Sequence, residues 1–184
     1  QQMMMEGVEL EMDAFSAGVA DMMAGRQPQM DQATAQEIIG KYQQKKSQEL
    51  AAMMNKKQAE SKAYMAENAK KDGVVTTDSG LQYEILEEGD GATPKATDKV
   101  IAHYEGTLID GTVFDSSIQR GEPATFPVNG VIQGWQEVLQ MMKEGGKWRV
   151  VIPGNLAYGP QGAGEMIGPN ETLIFDIELI AITQ

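Results

Sequence analysis

The chain has no cysteine among its 184 residues. Disulfides, thiolate metal sites and thiol nucleophiles are therefore excluded. His103 is the only histidine, so histidine-rich metal centres are excluded too, and at most one Ser–His pair remains. His103 falls inside an alternating strand pattern, where a structural role is the simpler reading. No apolar run approaches the length of a membrane span. Basic residues are scarce in residues 73–184, where six Lys and Arg stand against sixteen Asp and Glu, a net charge of −10. Such a surface repels phosphate, so nucleic acid is a poor partner. Residues 1–30 carry −4 and residues 31–72 carry +2, for −12 over the chain.

Signatures of metal and nucleotide chemistry are missing as well. Glu87-Glu88-Gly89-Asp90 lacks the spacing of a calcium loop, and the "GDGAT" segment is not followed by the Gly-Lys-Ser/Thr of a phosphate loop. No metal and no cofactor are expected.

Three textures follow one another along the chain. Residues 1–25 are rich in methionine: Met3, Met4, Met5, Met12, Met22 and Met23. In "DAFSAGVADMMAG", Phe15, Val19 and Met22–Met23 recur at helical spacing, with Asp13 as the expected N-cap and Gly25 as the expected stop. The chain opens inside this pattern, so the module is expected to be incomplete at its start. Two short helical pieces cannot bury a core alone. They need the main domain or a second copy of themselves, and flexible Met side chains suit either surface.

Residues 31–72 contain no proline and one glycine, Gly40. They predict one long helix of about 60 Å, capped by Asp31 or Thr34 and ended by Lys70-Lys71 and Gly73. Ile38, Ile39 and Tyr42 form an apolar patch, but "QQKKSQE" is polar on all sides. That marks a solvated connecting strut rather than a coiled coil.

Residues 73–184 change to short alternating runs punctuated by Gly and Pro. "LQYEIL", "VIAHYEGTL", "KWRVVIP" and "TLIFDIELIAI" read as strands. In the last, Leu173, Phe175, Ile177 and Leu179 share one face. "GWQEVLQMM" alone has helical spacing, through Trp135, Val138, Leu139 and Met142. One curved antiparallel sheet wrapped around one short helix is an α+β domain.

The chain has four Phe, five Tyr and two Trp. Tyr104, Phe114, Phe126, Trp135, Tyr158 and Phe175 all fall on pieces that should converge, beside Asp115 and the backbone N–H groups near Val131-Ile132. Each alone suits a core. Together they suggest an apolar pocket with a few polar handles, fit for a small apolar or peptide ligand.

Read as ordered blocks, "VIAHYEGTLIDGTVFDSS", "FPVNGVIQGWQEVLQMMKEGGKWRVVIP", "AYGPQGAG" and "GPNETLIFDIELIAI" resemble FKBP-type peptidyl-prolyl cis-trans isomerases over roughly residues 75–184. "DAFSAGVADMMAG", the long helix and "ENAKKDGVVTTDSGLQY" resemble the macrophage infectivity potentiator branch of Gram-negative bacteria. The resemblance implies three parts: an N-terminal dimerisation module (1–30), a connecting helix (31–72) and an isomerase domain (73–184). It also implies a homodimer in the periplasm or outer membrane, with the cytoplasm as the alternative. The implied substrates are proline-containing unfolded or folding proteins, and the implied ligands include macrolide-type inhibitors. The implied catalytic residues are Tyr104, Phe114, Asp115 and Tyr158. The implied substrate-binding residues are Phe126, Val131, Ile132, Trp135, Ile167 and Phe175. Ala124 replaces an aromatic found two places before the Phe126 position in smaller eukaryotic members, and the loop before Val131 is shorter, which implies a more open wall.

On this reading Asp115 orients Tyr104 through a hydrogen bond and transfers no proton. The competing role is capping the turn with Ser116 and Ser117. Three functions stay in view: a prolyl isomerase, a holdase chaperone gripping clients in a dimer cleft, and a surface adhesion factor.

Overall fold

The computed structural model describes residues 18, 20, 21, 23–25 and 31–183. Most of the Met-rich module, including Met3, Met4, Met5, Met12, Asp13, Phe15, Val19 and Met22, lies outside the described residues. Gly18, Ala20, Asp21 and Met23 are helical. Gly25, the expected stop, takes the left-handed conformation (φ 65°) that a side chain would resist.

The proline-free run forms helix α1, Gln32–Asn68. Of the two candidate caps it is Asp31 that serves: its carboxylate accepts the Thr34 N–H at 2.9 Å and the Thr34 hydroxyl at 2.8 Å. Exposed pairs such as Glu37–Lys41 (2.6 Å) and Lys56–Glu60 (3.7 Å) line the helix, each worth a few tenths of a kcal/mol at most. Near its end Glu67 pairs with Lys70 at 2.6 Å. The helix ends at Asn68, before the Lys pair. The buried Asn68 side chain is drawn to Gln82, donating to its amide oxygen at 2.9 Å, and Gly73 (φ 82°) then turns the chain into the sheet.

The described chain divides into two compact units, residues 1–50 and 51–184. The second half of α1 thus groups with the sheet, whereas the sequence placed the whole helix apart from residues 73–184. In this second unit the described residues form seven antiparallel strands: β1 (Val74–Thr76), β2 (Gln82–Glu87), β3 (Lys99–Leu108), β4 (Val113–Ser116), β5 (Ala124–Pro127), β6 (Lys147–Ile152) and β7 (Leu173–Thr183). The order is β1-β2-β6-β7-β3-β4, and β5 shares the outer edge of β3 with β4. β4 takes the Glu105–Thr107 end of β3 and β5 takes the Lys99–Ala102 end.

Alternation decides the faces. On β3, Val100, Ala102, Tyr104, Gly106 and Leu108 point inward. On β7, Leu173, Phe175, Ile177 and Leu179 do so, while Asp176 on the other face takes a two-pronged hydrogen bond from its cross-strand neighbour Arg149 at 2.7 Å. The short helix α3 (Gln133–Leu139) lies on the inner face, and its Val138 and Leu139 are fully buried with Val150, Ile152 and Ile177. Its N-terminus can approach β6 closely because residue 134 is glycine: a Cβ there would stand 2.5 Å from Ile152.

Candidate active site

The cavity opens where α3 begins. Its volume is about 290 Å³, and Tyr104, Phe114, Asp115, Phe126, Gly130, Val131, Ile132, Trp135, Tyr158 and Phe175 line it. Nine of the ten residues singled out in the sequence therefore meet at one place. Trp135, only 4% exposed, stands edge-on to three rings: Tyr104 at 5.4 Å (88°), Phe126 at 5.4 Å (70°) and Phe175 at 5.3 Å (86°). Phe114 meets Phe175 edge-on at 5.5 Å. These T-shaped contacts set the positive edge of one ring against the negative face of the next, worth about 0.5–1.5 kcal/mol per pair beyond burial. The cluster needs a glycine on β3, because a Cβ at Gly106 would lie 2.6 Å from Phe114 and 2.8 Å from Phe175.

Ile167 is the exception. It is buried in the core and does not line the cavity. Its N–H and C=O both pair with Ala163, at 3.1 and 2.9 Å, within the loop that carries Tyr158.

The polar side of the cavity is a triangle. The Tyr104 hydroxyl donates to Asp115 Oδ2 at 2.5 Å, Arg120 Nη2 donates to the Tyr104 hydroxyl at 2.7 Å, and Arg120 Nη1 donates to Asp115 Oδ1. The Arg120 guanidinium also lies 5.5 Å from the Tyr104 ring centroid. Partial burial pushes the Asp115 carboxyl up, but the hydrogen bonds from Tyr104 and Arg120 outweigh it, and the net result lies below the usual carboxylate range. Burial, reinforced by the bond to Asp115, raises the Tyr104 phenol. Both effects keep the carboxylate ionised and the phenol protonated at neutral pH.

Asp115 does not cap the turn after it. That task falls to Ser116, whose hydroxyl accepts the Gln119 N–H at 3.2 Å at the start of α2 (Ser117–Arg120). The preceding Asp-Gly turn is held by Asp110, which accepts the Thr112 N–H at 2.9 Å, with Gly111 left-handed (φ 87°). The single His–Ser pair also exists: His103 Nδ1 and Ser117 Oγ are 3.0 Å apart. Ser117 is fully buried and its hydroxyl accepts the Tyr104 N–H at 2.8 Å, so it clamps β3 to α2 and is closed to substrate.

Sequence reasoning missed Arg120, Gly130 and Gln136. Arg120 stands five places beyond Asp115, and only the one-turn helix α2 brings it back. Gln136 Nε2 donates to the Val131 carbonyl at 2.7 Å. In a planar trans peptide the Ile132 N–H must then point the opposite way. Among the described residues no cluster of three or more His, Asp and Glu could hold a metal, and no helix is long and apolar enough to cross a membrane.

A sheet wrapped around one helix, with an aromatic box at the helix start, defines the class: an α+β protein with an apolar pocket suited to a small apolar or peptide ligand. Residues 91–180 match the family described as FKBP-type peptidyl-prolyl cis-trans isomerase, and residues 1–85 match the domain amino-terminal to it. The FKBP-type 22 kDa peptidyl-prolyl cis-trans isomerase of Escherichia coli is 46% identical over 99% of this chain and 89% of its own. The outer membrane protein MIP of Legionella longbeachae is 44% identical over 96% and 78%. The crystal structure of FkpA from Escherichia coli superposes with a TM-score of 0.76 at 39% identity, covering 96% of this chain and 84% of that one. The chain belongs to the FKBP-type peptidyl-prolyl cis-trans isomerase family, in the company of FkpA and Mip proteins.

Proposed function

We propose that the cavity beside Trp135 is where this isomerase lowers the barrier to rotation about X-Pro bonds in protein substrates. The observation that carries the reading is the box itself: six aromatic side chains around an opening, and one ion pair held against its wall. An X-Pro amide rotates over a barrier of about 18–20 kcal/mol because resonance must be broken. The planar form is the more dipolar one, and water stabilises it. Inside an apolar box that preference is lost, and every 1.4 kcal/mol or so gained by the twisted form is about tenfold in rate.

In this mechanism Trp135 supports the proline ring, and Tyr104, Phe126 and Phe175 enclose it. Phe114 braces Phe175, and Val131 closes the remaining side. The Ile132 N–H and the Tyr158 hydroxyl hold the carbonyl oxygens flanking the rotating bond. Tyr158 is 42% exposed at the rim, where an incoming chain can reach it. Asp115 and Arg120 fix the Tyr104 ring and move no proton.

Because Asp115 stays ionised and Tyr104 stays neutral, kcat/KM in a peptide cis/trans assay should be flat from about pH 6 to 9. Tyr158→Phe should lower it. A bell-shaped profile would reject the proton-free mechanism, and an unchanged Tyr158→Phe would reject the carbonyl contact. Inhibition of the same assay by a macrolide-type FKBP ligand would support binding of such ligands in the cavity.

The amino-terminal segment is proposed to dimerise, and the dimer to grip unfolded clients as a chaperone, in the periplasm or at the outer membrane. The match of residues 1–85 to the family's amino-terminal domain supports this, together with the Met-rich composition. Sedimentation should show a dimer at micromolar concentration; a clean monomer would remove the proposal.

A further inference from the structure

We infer that Lys57 and Glu171 are positioning residues for the isomerase site, through which the second half of α1 sets the loop that carries Tyr158. The inference rests on the role given to Tyr158 above. It makes part of the connecting helix a working component of the catalytic unit.

Glu171 is the starting point. It lies at the end of the glycine-rich loop 154–172, just before β7, yet its side chain is only 3% exposed. A carboxylate withdrawn from water needs a close partner. That partner comes from far away in sequence: Lys57 Nζ on α1 donates to Glu171 Oε1 at 2.9 Å. The next loop residue, Thr172, is 2% exposed and donates its hydroxyl to Ser61 Oγ at 2.5 Å. Lys57 and Ser61 are four apart and share one face of the helix. Two consecutive loop residues are thus gripped by two successive helical turns. Lower down, Gln82 donates to the Met65 carbonyl at 2.9 Å and accepts from Asn68, so the helix cannot slide along the sheet without breaking buried bonds.

From Glu171 to the cavity the path is short. Asn170, just before it, is left-handed (φ 55°), and its N–H donates to the Gly159 carbonyl at 2.8 Å. Gly159 follows Tyr158 directly. The Asn170 backbone also occupies the space where a Cβ on residue 154 would stand, 2.6 Å away, which residue 154 permits by being glycine. The loop therefore closes on itself at Asn170, and the clamp on Glu171 fixes where that closure sits. Lys57 has two other acidic neighbours, Glu60 at 3.7 Å within the helix and, acting by charge alone, Asp110 of the turn between β3 and β4, but only Glu171 takes a hydrogen bond from it. A purely stabilising contact here would be served as well by two apolar side chains. A directed charge pair instead fixes a register.

The test uses the full chain and the peptide cis/trans assay, at a temperature where circular dichroism shows each variant folded. Lys57→Met and Glu171→Gln should each lower kcat/KM about three- to tenfold, and Lys57→Arg should retain it. In a Tyr158→Phe background, adding Lys57→Met should cost less than about twofold, because the group it positions is already gone. Losses that multiply across the two sites would overturn the inference, as would an unchanged Lys57→Met beside an impaired Tyr158→Phe. If Tyr158→Phe itself is without effect, the role of Tyr158 fails separately, and unchanged rates in both Lys57→Met and Glu171→Gln would sink the clamp. Should Lys57→Met not fold, Ser61→Ala, which removes only the acceptor of Thr172, is read in its place.

Discussion

Trp135→Ala should lower kcat/KM for proline peptides more than about tenfold and destabilise the protein by about 3–5 kcal/mol. The ring is 4% exposed and touches Tyr104, Phe126 and Phe175 within 5.4 Å. Removing it opens a void beneath all three and takes away the surface on which the substrate ring rests. Loss of fold and loss of site can be separated with Trp135→Phe. Phenylalanine keeps an aromatic ring in the same place and removes only part of the buried area, so the stability cost should be clearly smaller. Denaturant melts and the peptide assay on the two variants check this. A Trp135→Ala protein with wild-type kcat/KM would remove the box from the mechanism.

Asp115→Leu should lower kcat/KM about ten- to hundredfold. Hydrogen bonds involving a charged group are worth about 1.5–3 kcal/mol, and about 1.4 kcal/mol is tenfold in rate. The substitution releases the Tyr104 hydroxyl and leaves Arg120 as an unpaired cation beside an apolar cavity. Stability should change by only about 1 kcal/mol or less, because both partners of the ion pair are close to half exposed and water screens them. The acid side of the stability curve gives a second check. The Asp115 carboxyl is held low in the folded protein, so its stabilisation is full above the unfolded carboxylate value of about 3.9 and is lost as pH falls through the lower folded value. The wild-type melting temperature should therefore fall more steeply below about pH 4 than that of Asp115→Leu. Parallel curves would show that Asp115 has no such link to folding.

Part of the fold is legible in the sequence. β3 and β7 announce themselves by strict alternation, and α3 by the spacing of Trp135, Val138, Leu139 and Met142, because side-chain period and burial are local consequences of backbone geometry. α3 itself stops at Leu139, short of the apolar spacing that runs on to Met142. The short strands β1 and β5 gave no such signal: three or four residues are too few to show a period. The ring cluster was foreseen, but its members are ordered by contacts between β3, β4, β5, β7 and α3 that no single segment encodes. Ile167 does not line the cavity, and its pairing with Ala163 joins two loop residues that no local sequence period links.

Sequence by itself determined the excluded chemistry, the long helix, the alternating strands and the set of aromatics that make the site, since each depends on composition or on neighbours a few places away. Tertiary structure alone decided that Arg120 completes the Tyr104–Asp115 triangle and that Gln136 turns the Val131–Ile132 peptide. It alone also decided that Lys57, 114 residues before Glu171, neutralises a buried carboxylate. Partners so distant, or folded back by a single helical turn, meet through the closure of the sheet around α3, and burial then makes those pairings obligatory because an unpaired charge or N–H cannot be left out of water without cost.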